Sequence, residues 1–255
     1  MSFSSRQVRS TALSLLRPTS SQGWLRLPAD RPAEQAVKPA PYLPIYEQVL
    51  APLRRRPFAL LELGVWNGHS LEMWRDAFPR ATVIGVDLQP PEMDLGPRVH
   101  VIRGDQTDAA LMQRLREDYA PAGFDVIIDD ASHIGVVTAR SLQVLYSQHL
   151  RAGGLYCIED WGTGYLLDWD DGGPLAARLD VRGLDKTSAP AQAETSAATP
   201  LTSHELGVVG LIKRLIDHAA SGTVRFAQPD MVGEALAIES MSVWDGIVAL
   251  RKPVG

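Results

Sequence analysis

Five short apolar runs, each closed by an acid or a glycine-bearing loop, constrain this chain more than any other feature. They cover residues 58–63, 82–87, 99–102, 124–129 and 153–158. Most are followed by a stretch with helical spacing. Residues 70–78 place Leu71, Trp74 and Phe78 on one face, a segment capped by Thr107 or Asp108 runs through Tyr119, and residues 136–150 form another. Strands apolar on both faces and alternating with helices are what a parallel sheet covered on both sides requires. The expected fold is therefore α/β, a doubly wound, Rossmann-like, mainly parallel sheet of seven strands. A helix over 205–220 and two antiparallel-looking strands, 235–239 and 242–250, complete it.

The flanking segments read differently. Residues 1–41 form an arm and a Pro-rich linker, with Arg6, Arg9, Arg17 and Arg26 among serines and no acid before Asp30. That composition is shared with organelle transit peptides, but a mobile arm or a short helix over the site or an oligomer contact fits it better. Residues 42–255 form the main domain. Within it, 165–203 has no sustained period and reads as a lid or variable loop.

At 255 residues the chain can bury one large core. A net charge of −5 argues against a polyanionic partner, so no nucleic acid is expected. No apolar run is long enough to span a bilayer, and no export signal is recognisable, so the cytoplasm is the expected location. The single cysteine, Cys157, sits in an apolar strand and is read as packing.

In open α/β sheets, ligands bind outside the carboxyl ends of the strands, where every unusual group of this sequence falls. The first group is Leu61-Glu-Leu-Gly-Val-Trp-Asn-Gly68, in which Gly64 permits a tight turn and Glu62 offers a carboxylate. Trp66 stands where a dinucleotide loop would carry its second glycine, which counts against a nicotinamide-dependent oxidoreductase. Asp87 closes the second strand and suits the two hydroxyls of a ribose. Asp105 or Gln106, after the third, suits an adenine edge.

Two further groups close the fourth and fifth strands, Asp129-Asp130-Ala-Ser-His133 and Glu159-Asp160. Acid pairs at neighbouring strand ends repel one another unless a cation lies between them, and a carboxylate set suits a hard ion such as Mg²⁺. His133, three positions past Asp130, is placed as a general base. The bland alternative makes these acids helix caps and solvated loop ends. Trp161, Tyr165 and Trp169 follow the second acid pair and either stack on a sugar ring or pack under the lid.

At these residues the chain resembles the metal-dependent, class I S-adenosylmethionine O-methyltransferases of antibiotic biosynthesis. The similar members are the mycinamicin and rhamnosyl sugar O-methyltransferases, with the cephalosporin-hydroxylase-like group as relatives. The resemblance spans about residues 42–251 and rests chiefly on Asp125-Val-Ile-Ile-Asp-Asp-Ala-Ser-His133 and Gly153-Gly-Leu-Tyr-Cys-Ile-Glu-Asp160. It implies S-adenosylmethionine and Mg²⁺ as cofactors, Asp130, Glu159 and Asp160 as metal ligands, and His133 as catalytic base. Glu62, Gly64, Asp87, Asp105, Gln106 and Asp129 match positions around the S-adenosylmethionine. The implied reaction methylates a hydroxyl of a small-molecule acceptor, a sugar or polyketide glycoside. Related enzymes often assemble as homo-oligomers, while this sequence leaves the oligomeric state open. Two departures concern the acceptor: Val37-Lys-Pro-Ala-Pro-Tyr42 keeps Lys38 but lacks the family's acid and histidine, and residues 189–199 match nothing in the family. The alternatives are a metal-independent small-molecule methyltransferase and a non-catalytic scaffold that kept the fold.

Overall fold

A computed structural model describes residues 23–25, 38–166, 168–173, 204–221 and 236–255. Most of the 1–41 arm, most of the 165–203 segment and residue 235 lie outside the described residues.

The chain enters through α1 (Tyr42–Leu50) and then builds β1 (Phe58–Leu63), α2 (His69–Ala77), β2 (Ala81–Asp87) and β3 (Val99–Arg103). It continues through α3 (Ala109–Tyr119), β4 (Phe124–Asp129), α4 (Gly135–Val144), β5 (Leu150–Glu159), α5 (Gly207–Ser221), β6 (Ser240–Val243) and β7 (Ile247–Arg251). The seven strands pair in the order β3-β2-β1-β4-β5-β7-β6. The first five are parallel, and β7 runs antiparallel to both β5 and β6. The mainly parallel, doubly wound sheet with an antiparallel end is as the sequence predicts.

Strand parity explains the two-sided core. In β1, Ala59, Leu61 and Leu63 join a cluster with Leu111 and Leu115 of α3, Leu142 of α4 and Val208, Leu211 and Leu215 of α5. Phe58 and Leu60 join the opposite cluster with Tyr46 and Leu50 of α1 and Leu71 and Trp74 of α2. Period-two alternation with both faces buried is the arrangement that continuous apolar strands make stable. Each fully buried Leu or Phe contributes about 1.5–3 kcal/mol to it. Cys157 is wholly buried in the second cluster, and burial pushes its thiol above its ordinary range, as a packing residue requires.

Local expectations are refined in three places. Asp108, rather than Thr107, caps α3 by accepting from the Leu111 N–H at 3.0 Å. The helix expected over 136–150 stops at Val144 and closes through a π-helical turn, Leu145–His149, after which β5 has already begun at Leu150. The strand expected over 242–250 is two strands: the chain turns at Gly246, whose φ is +77°, and folds back so that Val243 pairs with Val248. Residues 236–239 are not a strand, although the Glu239 N–H donates to the Arg251 carbonyl at 2.9 Å. A hydrophobic run with a glycine near its middle gives period-two signal on both sides of a tight turn, which a sequence pattern reads as one strand.

Strand order places the switch point between β1 and β4, since the chain leaves β3 on one side of β1 and enters β4 on the other. A crevice opens there at the carboxyl ends.

Candidate active site

The crevice is a cavity of about 850 Å³. Gly64, Asp87, Asp105 and Gln106 line one stretch of its wall, and Asp130, His133, Glu159 and Asp160 line another. Asp87 closes β2 and Asp160 follows β5, three strand spacings away, or about 14 Å at about 4.8 Å per strand. That span accommodates a nucleoside and an acceptor side by side. Glu62 and Asp129 are not among the lining residues; both are buried in the wall behind it.

At the β1–β2 side, Gly64 has φ +85°, and a side chain there would meet the Asp130 carbonyl oxygen at 2.1 Å. The glycine therefore lets the loop after β1 lie against the end of β4, which the Asp130 N–H secures by donating to the Leu63 carbonyl at 2.9 Å. Asp87 organises this loop. Its Oδ2 accepts the Val65 and Trp66 N–H groups at 2.9 and 3.0 Å, and its Oδ1 accepts the Gln89 N–H at 2.8 Å. One further lone pair on Oδ1 remains for a ligand hydroxyl. Asp105 accepts the Thr107 N–H and hydroxyl, which hold its carboxyl below the usual carboxylate range.

Gln106 lines the cavity, and its side chain is held from the amide end. Its amide donates to Asp129 Oδ1 at 3.2 Å and to the Ser141 hydroxyl at 2.8 Å. Asp129 also accepts the Tyr156 hydroxyl at 2.9 Å, and burial pushes its carboxyl up to about 6. Asp129, Gln106, Ser141 and Tyr156 thus form a buried polar brace that fixes the end of β4.

The acid cluster contains a cation that sequence reasoning did not place there. The Lys38 ammonium lies 2.7 Å from Asp130 Oδ2, 2.8 Å from Glu62 Oε1 and 2.8 Å from Glu159 Oε1. Burial alone would lower its pKa. The neighbouring Asp130, Glu159 and Glu62 outweigh that and hold it well above the ordinary lysine value. Burial, reinforced by Asp130, pushes Glu159 up to about 8. Two groups of mutually close ligand atoms result, with Asp130 common to both. The inner one, Glu62, Asp130 and Glu159, encloses the Lys38 ammonium; the outer one, Asp130, His133 and Asp160, faces the cavity. The expected ligand set Asp130, Glu159 and Asp160 straddles them.

His133 Nε2 stands 3.7 Å from Asp130 Oδ1 and 3.9 Å from Asp160 Oδ2. Among the described residues, the non-glycine positions with positive φ are Trp66 (+46°), His133 (+49°) and Asp160 (+50°), and all three line the cavity. Left-handed backbone at such residues costs about 1–3 kcal/mol each and persists where surrounding structure imposes it. Here the Thr163 hydroxyl, donating to the His133 carbonyl at 3.1 Å, is one restraint.

A second restraint was hidden in the segment read as patternless. Trp161–Tyr165 and Asp170–Gly172 are 3₁₀ turns, and Asp171 is buried. Its carboxylate accepts the Gly135 N–H at 2.9 Å and the Val208 N–H at 2.6 Å, so one acid caps the first turns of both α4 and α5. A side chain at Gly135 would meet the Gly207 backbone at 2.3 Å, and one at Gly207, where φ is +59°, would meet the Asp171 carboxylate, which explains glycines at both helix starts. Asp171→Ala is expected to cost about 2–4 kcal/mol in thermal or denaturant unfolding, from two caps lost on buried donors. A loss under about 0.5 kcal/mol would show that the caps are not used. Trp169, in the same segment, lines the cavity with its ring 6.2 Å from the His133 ring. The Trp161 indole donates to the Trp244 carbonyl at 2.9 Å and packs against the core, so it is held structurally.

Sheet order and a strand-end cavity between β1 and β4 define the Rossmann-like fold of class I methyltransferases. Among solved structures, the chain is similar to the MycE methyltransferase of mycinamycin biosynthesis in complex with Mg and SAH. The TM-score is 0.60 at 27% identity, over 84% of this chain and 50% of that one. Among curated proteins it is similar to the 8-demethyl-8-(2-methoxy-alpha-L-rhamnosyl)-tetracenomycin-C 3'-O-methyltransferase of Streptomyces olivaceus. The identity is 36% over 148 residues, 55% of this chain and 37% of that protein. It is 37% identical over 131 residues to the mycinamicin VI 2''-O-methyltransferase of Micromonospora griseorubida, 49% of this chain and 32% of that one. The chain thus spans about a third of the length of these curated relatives and half of the solved one. No family profile matches it. The resemblance read from the strand-end motifs holds: the chain is a homologue of sugar O-methyltransferases from macrolide and tetracenomycin pathways.

Proposed function

We propose that this protein transfers the methyl group of S-adenosylmethionine to a hydroxyl of a small-molecule acceptor, a sugar of a glycosylated natural product. The observation that carries this reading is one cavity with a nucleoside-type wall at Gly64, Asp87 and Asp105 and an acid–histidine wall at Asp130, His133 and Asp160. Its relatives are named for the same reaction on sugars of polyketide glycosides, and MycE was solved with Mg and SAH.

The residues fit both groups. Asp130 Oδ1 and Asp160 Oδ2 face the cavity with oxygens that no described residue occupies with a hydrogen bond. Hard oxygen donors of this kind suit Mg²⁺. Asp130, Asp160 and Glu159 would hold the ion, which would supply a Lewis acid that makes the acceptor hydroxyl easier to deprotonate.

The chain's own residues do the rest. The Gly64 loop and the remaining lone pair of Asp87 position the nucleoside. The acceptor oxygen attacks the methyl carbon in line with the sulfur, the carbon–sulfur bond breaks with its electron pair going to sulfur, and His133 Nε2 takes the hydroxyl proton. Asp130 and Asp160, each within 4 Å of that nitrogen, stabilise the imidazolium that forms. The strained backbone of His133 and Asp160 holds these groups in place before the acceptor arrives. Trp169, beside His133, offers an aromatic face to the sugar. The cytoplasmic location expected from the sequence belongs to this proposal, while the sequence leaves the oligomeric state open; among the described residues no helix is long and apolar enough to cross a membrane.

The test is calorimetric titration of S-adenosylhomocysteine with and without Mg²⁺, on the wild type and on Asp130→Ala. Nucleoside binding with an Mg²⁺ signal that Asp130→Ala abolishes is the expected result. Nucleoside binding with no metal response would leave a metal-independent methyltransferase. Absence of nucleoside binding would overturn the reading and return the dinucleotides to consideration.

A further inference from the structure

We infer that Lys38, Tyr42 and Tyr46 form a clamp that orients the acid cluster for its cation, each fixing one oxygen of a carboxylate and leaving its twin turned to the cavity. The inference rests on the metal-assisted reading above and names positioning residues within it.

The three side chains are spaced four residues apart, and the two tyrosines share one face at the start of α1. The Tyr42 hydroxyl donates to Asp160 Oδ1 at 2.5 Å, and the Tyr46 hydroxyl to Glu159 Oε1 at 2.5 Å. Lys38 donates to Asp130 Oδ2 at 2.7 Å and also contacts Glu159 Oε1. Every acid assigned to the cation is therefore held by this one segment. Oδ1 of Asp130, Oδ2 of Asp160 and Oε2 of Glu159 carry no hydrogen bond from a described residue. A carboxylate free to rotate about its last bond loses that freedom on metal binding; one already clamped does not, and outer donors also fix its direction.

A second observation stands apart from the clamp's own bonds. Gly246, at the β6–β7 turn, lies so close to Tyr42 that an added side chain would meet the hydroxyl oxygen at 1.8 Å. The C-terminal hairpin thus leaves just enough room for that hydroxyl to reach Asp160. Lys38 does one thing more: sitting within the inner group of Glu62, Asp130 and Glu159, it denies that place to a second cation and directs binding to the outer oxygens.

The experiment is Mn²⁺ titration followed by electron paramagnetic resonance on the full chain, with Tyr42→Phe and Tyr46→Phe beside the wild type. S-adenosylhomocysteine affinity is measured separately in EDTA. Both substitutions keep the ring, and so the edge contact of Tyr46 with Trp74 at 5.1 Å between centroids. Each variant is expected to bind Mn²⁺ about 10–100-fold more weakly, with nucleoside affinity within about twofold of the wild type. Mn²⁺ affinity unchanged within about twofold in both variants would overturn the clamp while leaving the metal reading intact. Equal loss of metal and nucleoside binding would assign the tyrosines to general structure and overturn it too. A wild type that binds no Mn²⁺ would overturn the metal reading itself, and the clamp with it.

Discussion

Replacing His133 with alanine is expected to lower kcat by about 10²-fold or more, with S-adenosylhomocysteine affinity unchanged. The expectation follows from placement. His133 follows β4, and its Nε2 is 3.7 Å from one acid and 3.9 Å from another, in the acid–histidine wall of the cavity. The wall at Gly64, Asp87 and Asp105 follows β1, β2 and β3 and, among the described residues, shares no hydrogen bond with the imidazole. Loss of the proposed general base would act on the chemical step, so kcat falls while KM for S-adenosylmethionine stays near its wild-type value. A His133→Ala enzyme that turns over at the wild-type rate would remove the histidine from the mechanism. An equal fall in nucleoside affinity would instead assign it to holding the strained turn.

Lys38→Met is expected to destabilise the protein by about 3–5 kcal/mol, the usual cost of stripping the partner from buried charges. For a chain of this size that lowers Tm by about 6–20 °C. The pH dependence gives the sign. Lys38 titrates above its ordinary value, so its stabilising share is complete below about pH 10 and is lost only as pH rises through that raised value. In the variant, Glu62, Asp130 and Glu159 face one another without a counter-ion, and Glu159 is already lifted to about 8 by burial. An acid whose native pKa is raised makes the native state bind more protons than the unfolded chain, so stability falls as pH rises between the two values. The Tm deficit of Lys38→Met should therefore be smaller near pH 5 than near pH 8. A deficit under about 2 °C at both would show that the ammonium is not what holds the acids together.

Much of this site is legible in the sequence. The five strands, the acids at their carboxyl ends, the glycine turn after β1 and the histidine after β4 are local features. Each is carried by a short run of residues whose chemistry and spacing say the same thing. The C-terminal hairpin was only half legible, because the run from Ser242 to Leu250 is apolar enough to be one strand and only Gly246 hints at the turn. Asp171 gave no signal, since its partners, Gly135 and Val208, lie 36 and 37 residues away. The signal that could have found Lys38 was faint: a lysine and two tyrosines, each four residues on from the last, ahead of the first strand.

The sequence by itself determined the order of strands and helices, which faces they bury, and that acids and a histidine gather at one edge of the sheet. Those follow from periodicity and from the rule that strand ends of a parallel sheet converge. Only the tertiary structure decided how the acids divide. Lys38 comes from 92 residues before Asp130 to lie within hydrogen-bonding distance of it. Charge pairing in a buried site is settled within about 3 Å, a scale that spacing along the chain does not encode. For that reason four carboxylates that look alike in the sequence become an inner group of three around an ammonium and, with Asp130 common to both, an outer pair open to the cavity.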